Sequence, residues 1–465
     1  MDTVLSVGVV AAYVVLLTFV AVRARAAREF EEFSLAKRAL PLALVFGSLA
    51  ATYVGPGFTI AFVGRGFKSG FLFLAIGLAY ATQNVLVGLF VAPRLRALKN
   101  CHTLGDAIGQ KYDRRCHILA GIISVSICTF LAAVMAHAGG VVVLSDIFGL
   151  PGWSSIIIVV GVTALYTTFG GLRASVITDA FQFTAFAILL PVTLLFVLIF
   201  HFNGATNFIS QASVATRDGF GSITLLKGIG LVAAFLLGET LIPPYANRAL
   251  ASRTTGISRN GFILAGIFSI VWFIVMISLG ITARGIIAKD TGEDFVLLSL
   301  VKTIMPVGGY ALLLVVLISV VMSSLDSLLN AGAVAFTQDI VKPFKELTDK
   351  ASLNVGRIAT IVIASVAAAC APAVPSIIDG LLICYTIWAS AILPALIIGL
   401  WIKQPRPLAG ILSMGVGTLV SVIAIIFMFV FPSIIDVPAI IIPALGSALL
   451  AYVLGHWIEG KKFGT

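Results

Sequence analysis

The sequence predicts an all-α polytopic membrane protein with about 13 transmembrane helices, a single membrane domain over residues 1–465. Three observations lead there. Hydrophobic residues make up 60% of the chain and charged residues 11%, with mean hydropathy +1.11, so there is too little polar surface to cover a water-soluble fold of this size. Apolar runs of about 20 residues, the length that crosses a hydrocarbon core, recur from end to end. Between them Lys and Arg alternate in density, and about three quarters of them fall in loops on one side of the expected bilayer.

Taken in order, span one (4–22) begins without a basic leader or an A-x-A cleavage site, so a retained helix is expected rather than a signal peptide. Span two (43–66) contains AATYVGPGFTIAF, with Gly55, Pro56 and Gly57 in mid-crossing, and span three (70–92) follows a short turn. The basic stretch KYDRR leads into span four (117–144). Spans five (153–169) and six (175–200) are separated by FGGLRA. Span seven (223–245) is interrupted by Gly228, Gly230, Gly238, Pro243 and Pro244, and span eight (260–283) follows. The polar stretches 201–221 and 284–306 are expected to carry short surface helices that help to lid the outer mouth. Spans nine to thirteen occupy 309–336, 354–374, 377–402, 408–431 and 437–457, and no loop is long enough for a second folded domain. Arg23, Arg25, Arg94, Arg96, Arg114 and Lys342 are among the cations that follow odd-numbered spans. That assigns those loops to the cytoplasm, the N-terminus to the outside and the C-terminus to the inside of a plasma (inner) membrane.

The same residues exclude several classes. The formal charge of +10 is scattered through short loops instead of forming a basic stripe, which gives no nucleic-acid partner. The five cysteines lack CxxC spacing. The five histidines are dispersed without HExxH, and no GxxxxGKS phosphate loop occurs, so no enzyme is expected; nor is an obligate protein partner evident.

Span nine carries the chemistry. Ser323, Ser324, Asp326 and Ser327 interrupt an otherwise apolar run, and Ser323, Asp326, Ser327 and Asn330 follow at i, i+3, i+4 and i+7 on one helix face. A carboxylate at that depth costs about 2.5–3.5 kcal/mol on insertion scales, so it faces protein, water or a cation. Hydroxyls and carboxylates are hard ligands suited to an alkali cation, whereas Zn and Cu favour imidazole and thiolate. In span two, Pro56 removes a helical donor and the flanking glycines weaken the helix, which frees backbone carbonyls where only a cavity or a ligand tolerates them. Span seven repeats the pattern five crossings later. Paired interrupted spans predict a 5+5 inverted repeat, about 41–201 and 222–402, with extra helices at 4–22, 408–431 and 437–457 and a binding site near the midplane.

YTTFGGLRA (166–174), continuing SVITDAFQF, resembles the signature of the sodium:solute symporter family, and SSLDSLLNAGAVAFTQDIVKP resembles its serine-rich helix and the segment after it. Thr103, Asp106 and Tyr112 match one further pattern of that family; Asn247, Arg248 and Ala251 match another. The resemblance implies a LeuT-like fold and a sodium site. Carbonyls of Ala51 and Val54 would meet the carbonyl of Val320 and the hydroxyls of Ser323 and Ser324, with Na+ the only metal. It also implies a second cation or ion-release position at Asp179, Asp326 and Ser327, with Ser323 contributing. Locally, Asp179 could instead pair with Arg173 or cap its helix.

The midplane cavity is expected to present Tyr53, Gly55, Gln83, Asn84, Phe235, Glu239, Tyr385 and Trp388 to the substrate. Phe235 and Glu239 lie one turn apart and look into the same space. In the family's proline-transporting branch the matching positions are aromatic, so Glu239 departs from a proline pattern. Glu239 could meet a substrate amine, donate as the acid to a carboxylate, pair with Lys227 or Arg248, or bond to the turn that runs from GET (238–240) to PPY (243–245). The expected function is a sodium-coupled secondary active symporter that imports a small organic solute across the lipid bilayer by alternating access. A proton-coupled symporter of the same fold and a membrane solute sensor that moves nothing are the alternatives.

Overall fold

The computed structural model describes residues 2–23, 27–145, 148–201, 205–431 and 437–463; Arg25 of the first basic loop lies outside them. Among these residues the protein is helical throughout, with one isolated bridge between Leu40 and Ser252. We label the principal helices α1 (Asp2–Arg23), α2 (Leu42–Tyr53), α3 (Phe62–Ser69), α4 (Leu74–Leu86), α5 (Arg114–His137), α6 (Gly152–Phe200), α7 (Leu225–Leu237), α8 (Pro243–Ala251), α9 (Thr255–Ala283), α10 (Val307–Ala335), α11 (Asp349–Cys370), α12 (Ile377–Ala391), α13 (Leu393–Trp401), α14 (Pro407–Val430) and α15 (Val437–Phe463). Side-chain caps set several starts. Thr224, Thr254, Thr348 and Ser376 each accept a first-turn backbone N–H, of Lys227, Ile257, Ala351 and Asp379.

Nine helices of the described residues are long and apolar enough to cross a membrane. The sequence expectation of thirteen differs because broken crossings do not make single long helices. Leu42–Tyr53 is a short apolar piece, and the continuous stretch Gly57–Ala97 holds the rest of span two together with span three. Gly152–Phe200, at 49 residues, is far too long for one crossing and bends at Gly171, where φ is +59°. A Cβ there would lie 2.7 Å from the Phe33 Cα, so the GGL turn needs glycine both for its backbone angle and to seat the segment Phe30–Leu35.

The centre of the bundle is α10, with 89% of its apolar window inside the protein. It packs on α1, α5, α6 and α11, while α2 packs on α6 and α9, and α3 and α4 on α9. Helices α14 and α15 lie against each other and against α12, with α15 also covering α7. Large apolar side chains such as Leu195, Ile358, Leu419 and Leu450 are exposed around the perimeter, a surface that suits hydrocarbon rather than water.

Two of the crossings are discontinuous. Helix α2 ends at Tyr53, Val54 and Gly55 leave the helix, and the chain resumes at Pro56 through a π-helical turn, Gly57–Ala61, into α3. Helix α7 ends at Leu237; a four-residue turn with Leu241 at φ +49° leads to α8, whose first two residues are Pro243 and Pro244. Gly228 and Gly230 fall inside the continuous α7, so this interruption starts at Gly238, later than the glycine pattern suggests. At the far ends of the two broken crossings the backbones meet: Leu40 N–H donates to the Ala251 carbonyl at 3.2 Å and Arg253 N–H to the Leu40 carbonyl at 3.0 Å.

Candidate functional site

The break after α2 lies against the serine pair of α10. Ser323 Oγ is 3.5 Å from the Ala51 carbonyl oxygen and 3.2 Å from that of Val320, and Ser324 Oγ is 3.4 Å from the Val320 oxygen. A Cβ on Gly55 would stand 2.4 Å from Ser324 Oγ, so only glycine lets the unwound chain come this close. Ala51, Val320, Ser323 and Ser324 are therefore grouped. The Val54 carbonyl is engaged separately, accepting from Thr59 Oγ1 at 2.5 Å, and Thr59 in turn accepts from Trp272 Nε1 at 3.3 Å.

A second polar cluster lies one turn along α10. Asp326 accepts from Ser175 at 2.9 Å, Tyr166 at 3.0 Å and Ser327 at 3.1 Å. Asp179 accepts from Ser48 at 2.5 Å and from Arg248 Nη2 at 3.0 Å, and its Oδ1 has no hydrogen-bond partner. Arg248, fully buried, also donates to Ser327 Oγ at 2.5 Å, Ser48 Oγ at 2.9 Å and the Pro244 carbonyl at 3.0 Å. Arg173, offered by the sequence as the partner of Asp179, pairs instead with Glu32 at 3.3 Å. A guanidinium from α8 thus sits beside two of the residues of the predicted second cation position and joins α2, α6, α8 and α10.

Between these clusters and α12 is a cavity of only about 20 Å³, lined by Thr52, Gly55, Phe58, Glu239, Ser324 and Tyr385 among others. Glu239 is buried at the start of the α7–α8 turn; its Oε1 accepts from Tyr245 Oη at 2.7 Å, and Tyr80 and Tyr245 hydroxyls are 3.3 Å apart. The Tyr80 and Tyr385 hydroxyls approach the same carboxylate as further hydrogen-bond partners. Rings enclose them: Tyr53 lies 4.2 Å from Tyr245, Phe58 stacks on Tyr80 at 4.1 Å, and Phe235 meets Phe58 at 5.7 Å and Tyr385 at 5.8 Å. Gly55, Glu239 and Tyr385 line the cavity directly, whereas Tyr53 and Phe235 form a layer behind it. Gln83 and Trp388 turn elsewhere, to the Thr240 hydroxyl (2.7 Å) and carbonyl (2.8 Å), and so brace the second break. Asn84 is buried with its Nδ2 unpartnered. Lys227 lines a larger vestibule and Arg248 is engaged by Asp179, so neither pairs with Glu239.

That vestibule, about 880 Å³, is bordered by Arg65, Lys68, Arg284, Lys289, Asp218, Glu293 and Asp379. Arg65 pairs with Glu293 at 3.0 Å and Arg284 with Asp218 at 2.5 Å.

Sequence reasoning did not single out Tyr80, Phe58 or Thr59. Each is an ordinary residue of an apolar span, and only the approach of distant helices gives it a role. The bond of Glu239 to Tyr245, by contrast, is one to the PPY turn that it did offer. One histidine joins a further cluster: His117 Nε2 lies 2.9 Å from Asp339 and 3.4 Å from Asp106, and Thr103 bonds Asp339 at 2.5 Å, and none of these residues lines the central cavity.

The family model described as the sodium:solute symporter family matches residues 33–417. The chain is 25% identical over 405 residues to Sodium/glucose cotransporter 2 of Rattus norvegicus, covering 76% of this chain but 60% of that protein. It is 25% identical over 359 residues to the High-affinity proline transporter PutP of Bacillus subtilis, covering 69% and 73% respectively. The solved structure of a Na+-coupled sialic acid symporter in a substrate-bound outward-open state superposes with a TM-score of 0.83 at 15% identity, over 98% of both chains, so the two share a fold.

Proposed function

The chain belongs to the sodium:solute symporter family, and we propose that it is a sodium-coupled secondary active symporter that imports a small organic solute by alternating access. The observation that carries this reading is the grouping of the Ala51 and Val320 carbonyls with the Ser323 and Ser324 hydroxyls across the broken α2 and the buried α10. Oxygen separations of 3.2, 3.4 and 3.5 Å correspond to edges of an octahedron with cation–oxygen bonds of about 2.3–2.5 Å, a range typical of hard cations. The end of α2 at Tyr53 leaves the Ala51 carbonyl without the following helical turn, which is how the interruption serves the ion. Val54 would join once Thr59 releases its carbonyl.

On this reading sodium enters from the vestibule, which the charge asymmetry of the loops puts outside, and ties α2 to α10. Ion binding orders the cavity floor at Gly55 and Ser324, so solute and ion bind cooperatively. On the opposite side the Arg248–Asp179 pair closes the exit. Its separation lets Asp179, Asp326 and Ser327 receive the departing ion. In the closed arrangement the guanidinium supplies the positive charge that a second ion would otherwise bring. Each sodium moving through 100 mV contributes about 2.3 kcal/mol, about fifty-fold accumulation before its own gradient is counted.

The test is uptake into proteoliposomes. Accumulation that follows an inward sodium gradient and fails in potassium supports the reading; binding of solute without uptake would point to a sensor. Uptake driven by a pH gradient without sodium would transfer coupling to a proton, for which the buried Glu239 is the available carrier.

A further inference from the structure

We infer that the groove between α4, α7, α13 and α15 is a binding site for one anionic phospholipid, whose acyl chain fills it and whose phosphate is held by Arg94. The groove measures about 490 Å³ and reaches from Gln83 and Thr240 at one end to Phe90 and Trp401 at the other. Seven residues of continuous helix separate Gln83 from Phe90, about 10 Å of rise against a hydrocarbon core of about 30 Å, so the groove lies within one leaflet. Leu237, Ile397 and Leu445 are among the apolar side chains between its ends. Gln83 Nε2 donates to Thr240 Oγ1 at 2.7 Å, so these two polar lining residues are satisfied by each other.

The groove shares no lining residue with the vestibule or the central cavity. Leu86, Phe90, Trp401 and Leu449 on its walls are exposed, so it opens to the perimeter that faces hydrocarbon. Water would find few partners there, and an unfilled slot would forfeit the dispersion contacts of its walls. An acyl chain meets both conditions.

The head group is chosen by charge. Arg94 lies 4.2 Å from the Trp401 ring centroid and donates through Nη1 to the Phe90 carbonyl at 2.6 Å, so two lining residues hold its guanidinium at the mouth. No carboxylate pairs with Arg94 among the described residues, and the sequence has no Asp or Glu at 70–105 or 380–435, the stretches that supply α4 and α13. Nε and Nη2 are left to meet phosphate oxygens, and an Arg beside a Trp at a membrane edge is suited to an anionic lipid. Lys403, exposed two residues after Trp401, adds to the local positive charge.

Leu236, Leu237 and Thr240 belong to the end of α7 and the turn after it, so the bound chain lies against the second broken crossing. It fills the space between that break and the facing wall of α13 and α15. Lipid occupancy therefore favours the arrangement seen here over one in which α7 moves away from that wall. Neither the solute nor the coupling ion enters this inference.

The experiment is a thermal-shift titration of the purified, delipidated full chain in detergent. The probes are dioleoylphosphatidylglycerol, dioleoylphosphatidylcholine with the same chains, and dihexanoylphosphatidylglycerol with the same head group on short chains. The dioleoyl glycerol lipid is expected to raise the Tm with a midpoint about tenfold below that of the choline lipid, as a charge-assisted hydrogen bond supplies, and well below that of the short-chain lipid. Arg94→Gln should bring the glycerol midpoint to that of the choline lipid. Leu86→Trp, and Leu449→Trp as a second groove-filling variant, should weaken both dioleoyl lipids several-fold, whereas Leu419→Trp, exposed outside the groove, should weaken neither. Native mass spectrometry of the parent protein should find one retained glycerol lipid per chain. Equal midpoints for the two dioleoyl lipids, an equal response to the short-chain lipid, no stabilisation by any of the three, or undiminished binding in Arg94→Gln and both groove-filling variants overturns the inference.

Discussion

Replacing Ser323 and Ser324 by alanine separates a packing role from an ion-binding one, because the two roles differ in magnitude. The packing cost is small. Besides the long approach of Ser323 to the Ala51 carbonyl, both hydroxyls donate to the Val320 carbonyl three or four residues earlier in their own helix, at 3.2 and 3.4 Å. Losing such a bond costs about 1 kcal/mol or less, and alanine, the strongest helix former, recovers part of it. A hydroxyl that binds a charged group is worth about 1.5–3 kcal/mol. Each single variant should therefore weaken sodium about tenfold or more, and the double variant about a hundredfold or more, at 1.4 kcal/mol per decade. The assay is a sodium titration of the Tm in detergent, paired with sodium-dependent uptake in proteoliposomes. Parent-like Tm in potassium with the sodium midpoint shifted is the expected result. An unchanged midpoint in the double variant would refute the assignment.

Asp179→Asn leaves the fully buried Arg248 without its ion-pair partner and should destabilise the protein by about 3–5 kcal/mol; Asp179→Asn with Arg248→Met removes both charges and should restore most of the lost Tm. If the double variant is no better than the single, the pair is not the source of the cost. Gly55→Ala places a methyl 2.4 Å from Ser324 Oγ and should lose sodium-dependent uptake while sodium-free stability falls by about 1–3 kcal/mol. Gly171→Ala must keep a positive φ and displace the Phe33 backbone, so a loss of about 2 kcal/mol in thermal unfolding is expected, with sodium affinity of the surviving folded fraction unchanged.

What could be read from the sequence follows from the range of the interactions. The helical class is written in composition and run length, and the first break in three consecutive residues, Gly55 to Gly57, all local signals. Span seven misled, because Gly228 and Gly230 sit in the helix without breaking it, and Gly230 serves close packing: a Cβ there would meet the Pro438 carbonyl, which the fold alone supplies. The partner of Asp179 is 69 residues away, and nothing in local spacing prefers Arg248 over the nearer Arg173. Gln83 and Trp388 are polar groups on cavity-facing helices, as expected, yet both serve Thr240, a residue with no local mark. The approach of Ala51 to Ser323 spans 272 positions and came through the family resemblance rather than from either segment by itself.

The backbone staple between Leu40 and the 251–253 stretch has a mechanical consequence. Arg96 reinforces it, donating to the Ser252 carbonyl at 2.5 Å and the Arg253 carbonyl at 3.3 Å. The half-helices leading from it, α2 and α8, cannot slide past one another without tearing these bonds, so they form a single lever arm. A pull applied at the tip of α2 is delivered through the yoke to α8 and to the guanidinium it carries. Loading at one end of the arm and unlatching at the other become one stroke, with no need for a chain of side chains to relay it.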